Sequence, residues 1–190
     1  MCGRYQVVTE EAELREIIFN ALNGSDMDTK SYLLGTEVFP TNQLPVLINA
    51  SNEKTAKIYK WGFPQYKGSG VIINARSETI ETKPTFASRF RYTRCLVPSS
   101  GFYEWSGSRQ KYRFTLPDDN VLYMAGLWGD FGGEPCYVII TKDADENVRD
   151  VHSRMPLVLR RSELDGWLFD TDCARLLLHG ECPELTKTAV

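Results

Sequence analysis

The chain has no run of about 18 apolar residues, so no membrane-spanning helix and no membrane partner is expected. Its N-terminal stretch lacks a basic segment followed by an apolar one, so no secretory leader is expected either. Cysteine is sparse and odd in number: Cys2, Cys95, Cys136, Cys173 and Cys182, with no C-x-x-C pair. That spacing suits neither a disulfide framework nor a zinc site, and it points to a reducing, cytoplasmic compartment. Histidine occurs only at His152 and His179. There is no glycine-rich phosphate cradle and no local signature of a serine triad, so the expectation is no metal and no cofactor. Repeats and low-complexity linkers are also missing, and the 190 residues read as a single domain, 1–190.

What is present is a series of short apolar strands. Tyr5–Val8, Val46–Ala50, Thr55–Trp61, Val71–Ile73, Arg94–Pro98, Gly101–Trp105, Lys111–Leu116, Val121–Trp128, Cys136–Thr141 and Leu157–Leu159 each read as β, separated by polar turns. Thr9 reads as the cap of a first helix, with Leu14, Ile17, Ile18 and Leu22 at helical spacing and Asn23-Gly24 as its stop. Phe86, Arg89 and Phe90 predict a short helix after Pro84. Asp145–Val151 reads as another, Ser162 caps a helix holding Leu164, Trp167 and Leu168, and a last one covers about 172–178. Many strands against few helices predict an α+β fold, a curled, barrel-like antiparallel sheet with flanking helices.

Charge is unevenly distributed. Residues 71–113 carry eight basic side chains against three acidic ones, while residues 114–190 carry seven against 14. A basic middle can steer a polyanion even in a chain of net charge −3, and it can equally be a solvated face. Of the two histidines, His179 reads as the end of a helix, and His152 in polar chain is the better acid–base candidate. Glu104 lies between Tyr103 and Trp105, so it faces away from both, either into solvent or into an apolar pocket where its pKa would rise. The aromatic run Trp61-Gly62-Phe63-Pro64-Gln65-Tyr66 either covers a core edge or presents flat rings to a ligand.

The start of the chain, Met1-Cys2-Gly3-Arg4, has a chemistry of its own. With Met1 removed, Cys2 carries an α-amine and a thiol on adjacent carbons. The amine titrates near ~8 and the thiol near ~8.5. Such a pair condenses with an aldehyde to an imine and then closes to a thiazolidine. Arg4 is close enough in sequence to enrich the thiolate or to hold an anionic substrate. With Met1 retained, that nitrogen is an amide and no thiazolidine forms. A buried, inert Cys2 is the plainer reading of the tetrapeptide alone.

Four blocks occur in order: Met1-Cys2-Gly3-Arg4; Ile73-Asn74-Ala75-Arg76-Ser77-Glu78; Arg94-Cys95-Leu96-Val97-Pro98 running into Gly101-Phe102-Tyr103-Glu104-Trp105; and His152-Ser153-Arg154-Met155-Pro156. Together they resemble the SRAP family, the SOS-response-associated peptidase-like proteins of bacterial type, over nearly the whole chain. The resemblance implies a shield for abasic sites in single-stranded DNA, in which Cys2 forms a thiazolidine crosslink with the ring-opened sugar. Carried over by position, Asn74 holds the Cys2 amine or the sugar, Glu104 is the acid–base group, and His152 shares its proton work. Arg4 and Arg76 hold flanking phosphates, Trp61 is an aromatic wedge, and Pro40 and Thr141 line the site. The implied partner is abasic single-stranded DNA near the replication machinery, and the implied protein is a nucleoid-associated monomer with AP-lyase and autopeptidase activity as further expectations. Two other functions use the same residues: a cysteine autopeptidase that removes its own Met1, and a non-covalent single-strand binder.

Overall fold

β-branched and aromatic residues recur through residues 43–61, 94–105 and 122–143, and the computed structural model, which describes residues 2–22, 37–66 and 68–190, folds these stretches as strands joined by short turns. In chain order the strands begin with β1 (Tyr5–Gln6), β2 (Glu37–Val38), β3 (Gln43–Ala50), β4 (Glu53–Trp61) and β5 (Phe63–Pro64). There follow β6 (Val71–Ile72), β7 (Asn74–Arg76), β8 (Arg94–Ser99), β9 (Gly101–Trp105) and β10 (Lys111–Thr115). The last are β11 (Leu122–Asp130), β12 (Pro135–Asp143), β13 (Arg154–Pro156), β14 (Val158–Leu159) and β15 (Thr186–Ala189). Among the described residues the α-helices are α1 (Ala12–Ala21), α2 (Pro84–Tyr92), α3 (Leu164–Phe169) and α4 (Thr171–Leu177).

One sheet runs β13-β12-β4-β3-β8-β11-β14, and an added β11–β12 pairing closes β12, β4, β3, β8 and β11 into a ring. The fold is therefore α+β with a curled, barrel-like sheet, as the strand count predicts. It is not purely antiparallel, however. β12 pairs in parallel with β4 at Cys136–Lys60 and Tyr137–Trp61, and in parallel with β7 from Asn74 to Arg76. A strand that meets partners from far upstream takes whichever direction closes the ring, and local patterning does not encode that direction. Strands β8, β11 and β12 are buried along almost their whole length. They lie between the ring's interior and the elements covering it, which explains their unbroken apolar runs.

The second sheet runs β15-β10-β9-β1-β2 and lies against the ring, where the Tyr5 and Tyr137 hydroxyls meet at 2.6 Å. Several boundaries differ from the sequence reading. α1 starts at Ala12 rather than after Thr9, and its Asn23-Gly24 stop lies outside the described residues. Residues 145–152 form successive turns instead of a helix, with the Arg149 N–H donating to the Asp145 carbonyl and the His152 N–H to the Val148 carbonyl. Among the described residues no helix is long and apolar enough to cross a membrane.

Candidate functional site

The N-terminal segment is held between two strands. β1 pairs with β9 at Tyr5–Phe102 and Gln6–Gly101, and with β2 at Tyr5–Val38 and Gln6–Glu37. The Tyr103 N–H donates to the Arg4 carbonyl at 2.9 Å, and the same register carried back sets Gly3 opposite Glu104. A segment paired on both sides does not fray, so Cys2 has a defined place. Cys2 is fully buried, and Asn74 of β7 donates from Nδ2 to the Cys2 carbonyl at 2.9 Å.

Burial pushes the Cys2 thiol well above its ordinary value, and the neighbouring Glu104 charge adds to the effect. The expectation that Arg4 enriches the thiolate is therefore corrected. Cys2 Sγ donates weakly to the Arg4 carbonyl at 3.9 Å, while the guanidinium turns to the Glu37 carboxylate at 2.7 Å and sits 3.7 Å over the Phe39 ring.

Glu104 takes the apolar-pocket alternative. It is 3% exposed and shares its sheet face with Phe102, opposite Tyr112 of β10. Burial raises its carboxyl above the usual carboxylate range, with the nearby His152 opposing the rise. His152 ends the turns that lead into β13. Its Nδ1 is 3.0 Å from the Arg154 N–H and 3.1 Å from the Arg154 carbonyl. A ring unprotonated at Nδ1 accepts from the first, and a ring protonated there donates to the second, so the backbone accommodates both states.

Arg154, given no role by the sequence reading, ties this loop down. Its guanidinium grips the Glu78 carboxylate at 2.6 and 3.0 Å, reaches Asp143 at 2.6 Å, and donates to the Thr141 carbonyl at 2.8 Å. Its place in the block His152-Ser153-Arg154-Met155-Pro156, two residues after His152, is the signal in the sequence that could have found it.

Arg76 follows Asn74 by two on β7, shares its face and is exposed. Pro40 is half-buried in the turn beside exposed Phe39. Two expectations fall. Trp61 has no accessible surface: its Nε1–H donates to the Ile73 carbonyl at 3.1 Å, and its ring stacks on Tyr137 and meets Tyr5 edge-on. A ring with no free face cannot wedge between bases. Its backbone instead clamps the 39–42 turn, and its indole anchors the carbonyl next to Asn74. Tyr66, in the same aromatic run, is 99% exposed. Thr141 is likewise fully buried, so it supports the site from behind and does not face a ligand.

The basic middle is also less available than its charge suggests. Arg94 is buried, Lys111 pairs with Glu37, and Arg89 packs over Phe63 and Phe131. Arg76, Lys83, Arg91 and Arg109 are the exposed ones. Among the described residues no group of three or more His, Cys, Asp and Glu side chains could hold a metal ion.

Comparison with known proteins bears on this arrangement. The Bacillus subtilis (strain 168) abasic site processing protein YoqW is 32% identical over 183 residues, covering 88% of this chain and 80% of the relative. The abasic site processing protein HMCES of Xenopus tropicalis is 28% identical over 194 residues, covering 77% of this chain and 57% of that protein. A crystal structure of a Bordetella bronchiseptica protein superposes with a TM-score of 0.77 at 24% identity, covering 100% of this chain and 99% of the other, which establishes the shared fold. The profile described as SOS response associated peptidase (SRAP) matches residues 1–186. The chain belongs to the SRAP family.

Proposed function

We propose that the protein captures abasic sites in single-stranded DNA by forming a thiazolidine between Cys2 and the ring-opened sugar. The observation that carries this reading is the convergence on Cys2 of an amide donor, Asn74, and a buried carboxyl, Glu104, at the start of the chain. The relatives named abasic site processing proteins support the substrate class.

Removal of Met1 turns the Cys2 nitrogen into a primary amine. An abasic sugar rests as a closed hemiacetal, so a proton donor at the ring oxygen must open it first. A carboxyl whose pKa is raised by burial, Glu104, suits that step. The amine adds to the aldehyde carbon and water leaves, giving the imine. The thiol then adds across the C=N bond: a carbon–sulfur bond forms and the thiol proton ends on nitrogen. A thiol kept protonated by burial favours this order, with the amine attacking first. His152 takes and returns protons beside Glu104. Arg4 and Arg76 hold phosphates, and exposed Tyr66, replacing Trp61, offers a ring to an unstacked base. The autopeptidase reading requires a thiolate attacking the preceding carbonyl, which the protonated state of Cys2 disfavours.

The test is a single-stranded oligonucleotide containing uracil, treated with uracil glycosylase and incubated with protein lacking Met1. Wild type is expected to give a heat-tolerant, shifted band on a denaturing gel. Cys2→Ala is expected to leave only a labile Schiff base. No band from wild type, or an equally stable adduct from Cys2→Ala, overturns the thiazolidine.

A further inference from the structure

Four neighbouring strands, β2-β1-β9-β10, bring a charged group together at one end of the second sheet. Glu37 extends one carboxylate oxygen to Arg4 Nη1 at 2.7 Å and the other to Lys111 Nζ. The two cations are cradled by rings. Arg4 lies 3.7 Å over Phe39 and 5.5 Å over Trp105, and Lys111 lies 4.0 Å over Tyr103 and 5.7 Å over Trp105. All three charged side chains reach solvent, at 22–28% exposure.

Partly exposed ion pairs add little to stability, so folding alone does not account for this cluster. Its geometry is that of an anion seat. A carboxylate with one oxygen on each of two cations occupies the position that the two non-bridging oxygens of a phosphodiester require. Ring faces hold the cations in place without neutralising them. The seat also lies next to the candidate site: Lys111 pairs with Trp105, the residue after Glu104, and Arg4 follows Cys2 by two.

We propose that Arg4 and Lys111 form one phosphate subsite for single-stranded DNA, and that Glu37 occupies it in the unliganded protein as a resident competitor. This rests on the abasic-DNA reading given above. Neither Lys111 nor Glu37 has a role in that reading. A strand entering the site must displace the Glu37 carboxylate to gain the two cations. Intact DNA passing through is thereby held weakly, while a strand retained by its abasic sugar stays long enough to make the exchange. Glu37 then discriminates against undamaged strands, and Lys111 supplies a phosphate contact once Glu37 has moved.

The test measures fluorescence anisotropy of a labelled, undamaged oligothymidine at several salt concentrations, with melting temperatures in parallel. Glu37→Gln is expected to tighten binding roughly threefold or more at low salt, and to steepen the salt dependence by about 0.7 per phosphate gained. Lys111→Gln added to Glu37→Gln is expected to remove part of that gain and to flatten the slope again. Unchanged or weaker binding by a folded Glu37→Gln protein overturns the proposal. If that variant melts early, Glu37→Ala takes its place, and unchanged or weaker binding by that folded protein overturns the proposal. The abasic crosslinking gel, run on the same preparations, separates the two ideas. Tighter binding by Glu37→Gln without any wild-type crosslink leaves the subsite standing and removes the covalent reading. A wild-type crosslink with no effect of Glu37→Gln removes the subsite alone.

Discussion

Glu104 shows what burial does to one side chain. Taking a carboxylate out of water disfavours its charged form, so the folded protein binds the proton more tightly than the unfolded chain does. Between the ordinary carboxyl value of 4.5 and the raised one, the folded state holds more protons than the unfolded state, and stability falls as pH rises through that window. Glu13, Glu78 and Asp119, lowered by their arginine partners, act in the opposite sense: their contribution is present above the ordinary value and lost as pH falls. Both effects are separated by comparing wild type with Glu104→Gln in urea unfolding across pH. The wild type is expected to lose stability relative to the variant as pH rises above 4.5, because the other carboxyls cancel in the difference. A difference independent of pH would mean that Glu104 titrates at its ordinary value. The alternation Tyr103-Glu104-Trp105 made the direction of this side chain legible in the sequence. That it is buried depends also on β1, about a hundred residues upstream, which no local pattern shows.

At the scale of elements, Arg94 is the informative residue. It opens β8 and is 6% exposed. Its Nε–H donates to the Trp167 carbonyl at 2.6 Å, and Nη1 donates to the Phe90 carbonyl at 2.6 Å and to Thr171 Oγ1 at 3.1 Å. One guanidinium thus satisfies orphan carbonyls at the ends of α2 and α3 and fastens both helices to the ring. Arg94→Met is expected to lower stability in urea by about 3 kcal/mol, because buried carbonyls lose a charged donor. It should leave the salt dependence of DNA binding unchanged. Arg76→Gln, on exposed chain, is expected to do the reverse, and anisotropy with parallel unfolding curves distinguishes them. The helix α2 was legible from Phe86 and Phe90, which are both buried. The strand β13 was not, because its three residues Arg154–Pro156 gain strand geometry only by pairing with β12.

For the whole molecule, the controlling feature is closure of the ring. Gly126 of β11 sits between β8 and β12, and a Cβ there would meet both Cys95 Sγ and the Val138 carbonyl oxygen at 2.9 Å. Gly126→Val is expected to cost about 3 kcal/mol through overpacking, with Gly126→Ala shifting the urea midpoint in the same direction by less. Equal stability would show that the ring yields at this seam. By itself, the sequence determined most of the longer strands, the helix α2 and the α+β class, because periodicity is a local property. The tertiary structure alone decided which strands run parallel, that Trp61 is buried and Tyr66 is not, and which cations stay exposed. Arg4 and Lys111 read as available charge in the sequence, and they meet Glu37 only because β2 and β10 join the same sheet. Availability is set by neighbours brought together across long stretches of chain, and burial, pairing and direction are properties of that packing.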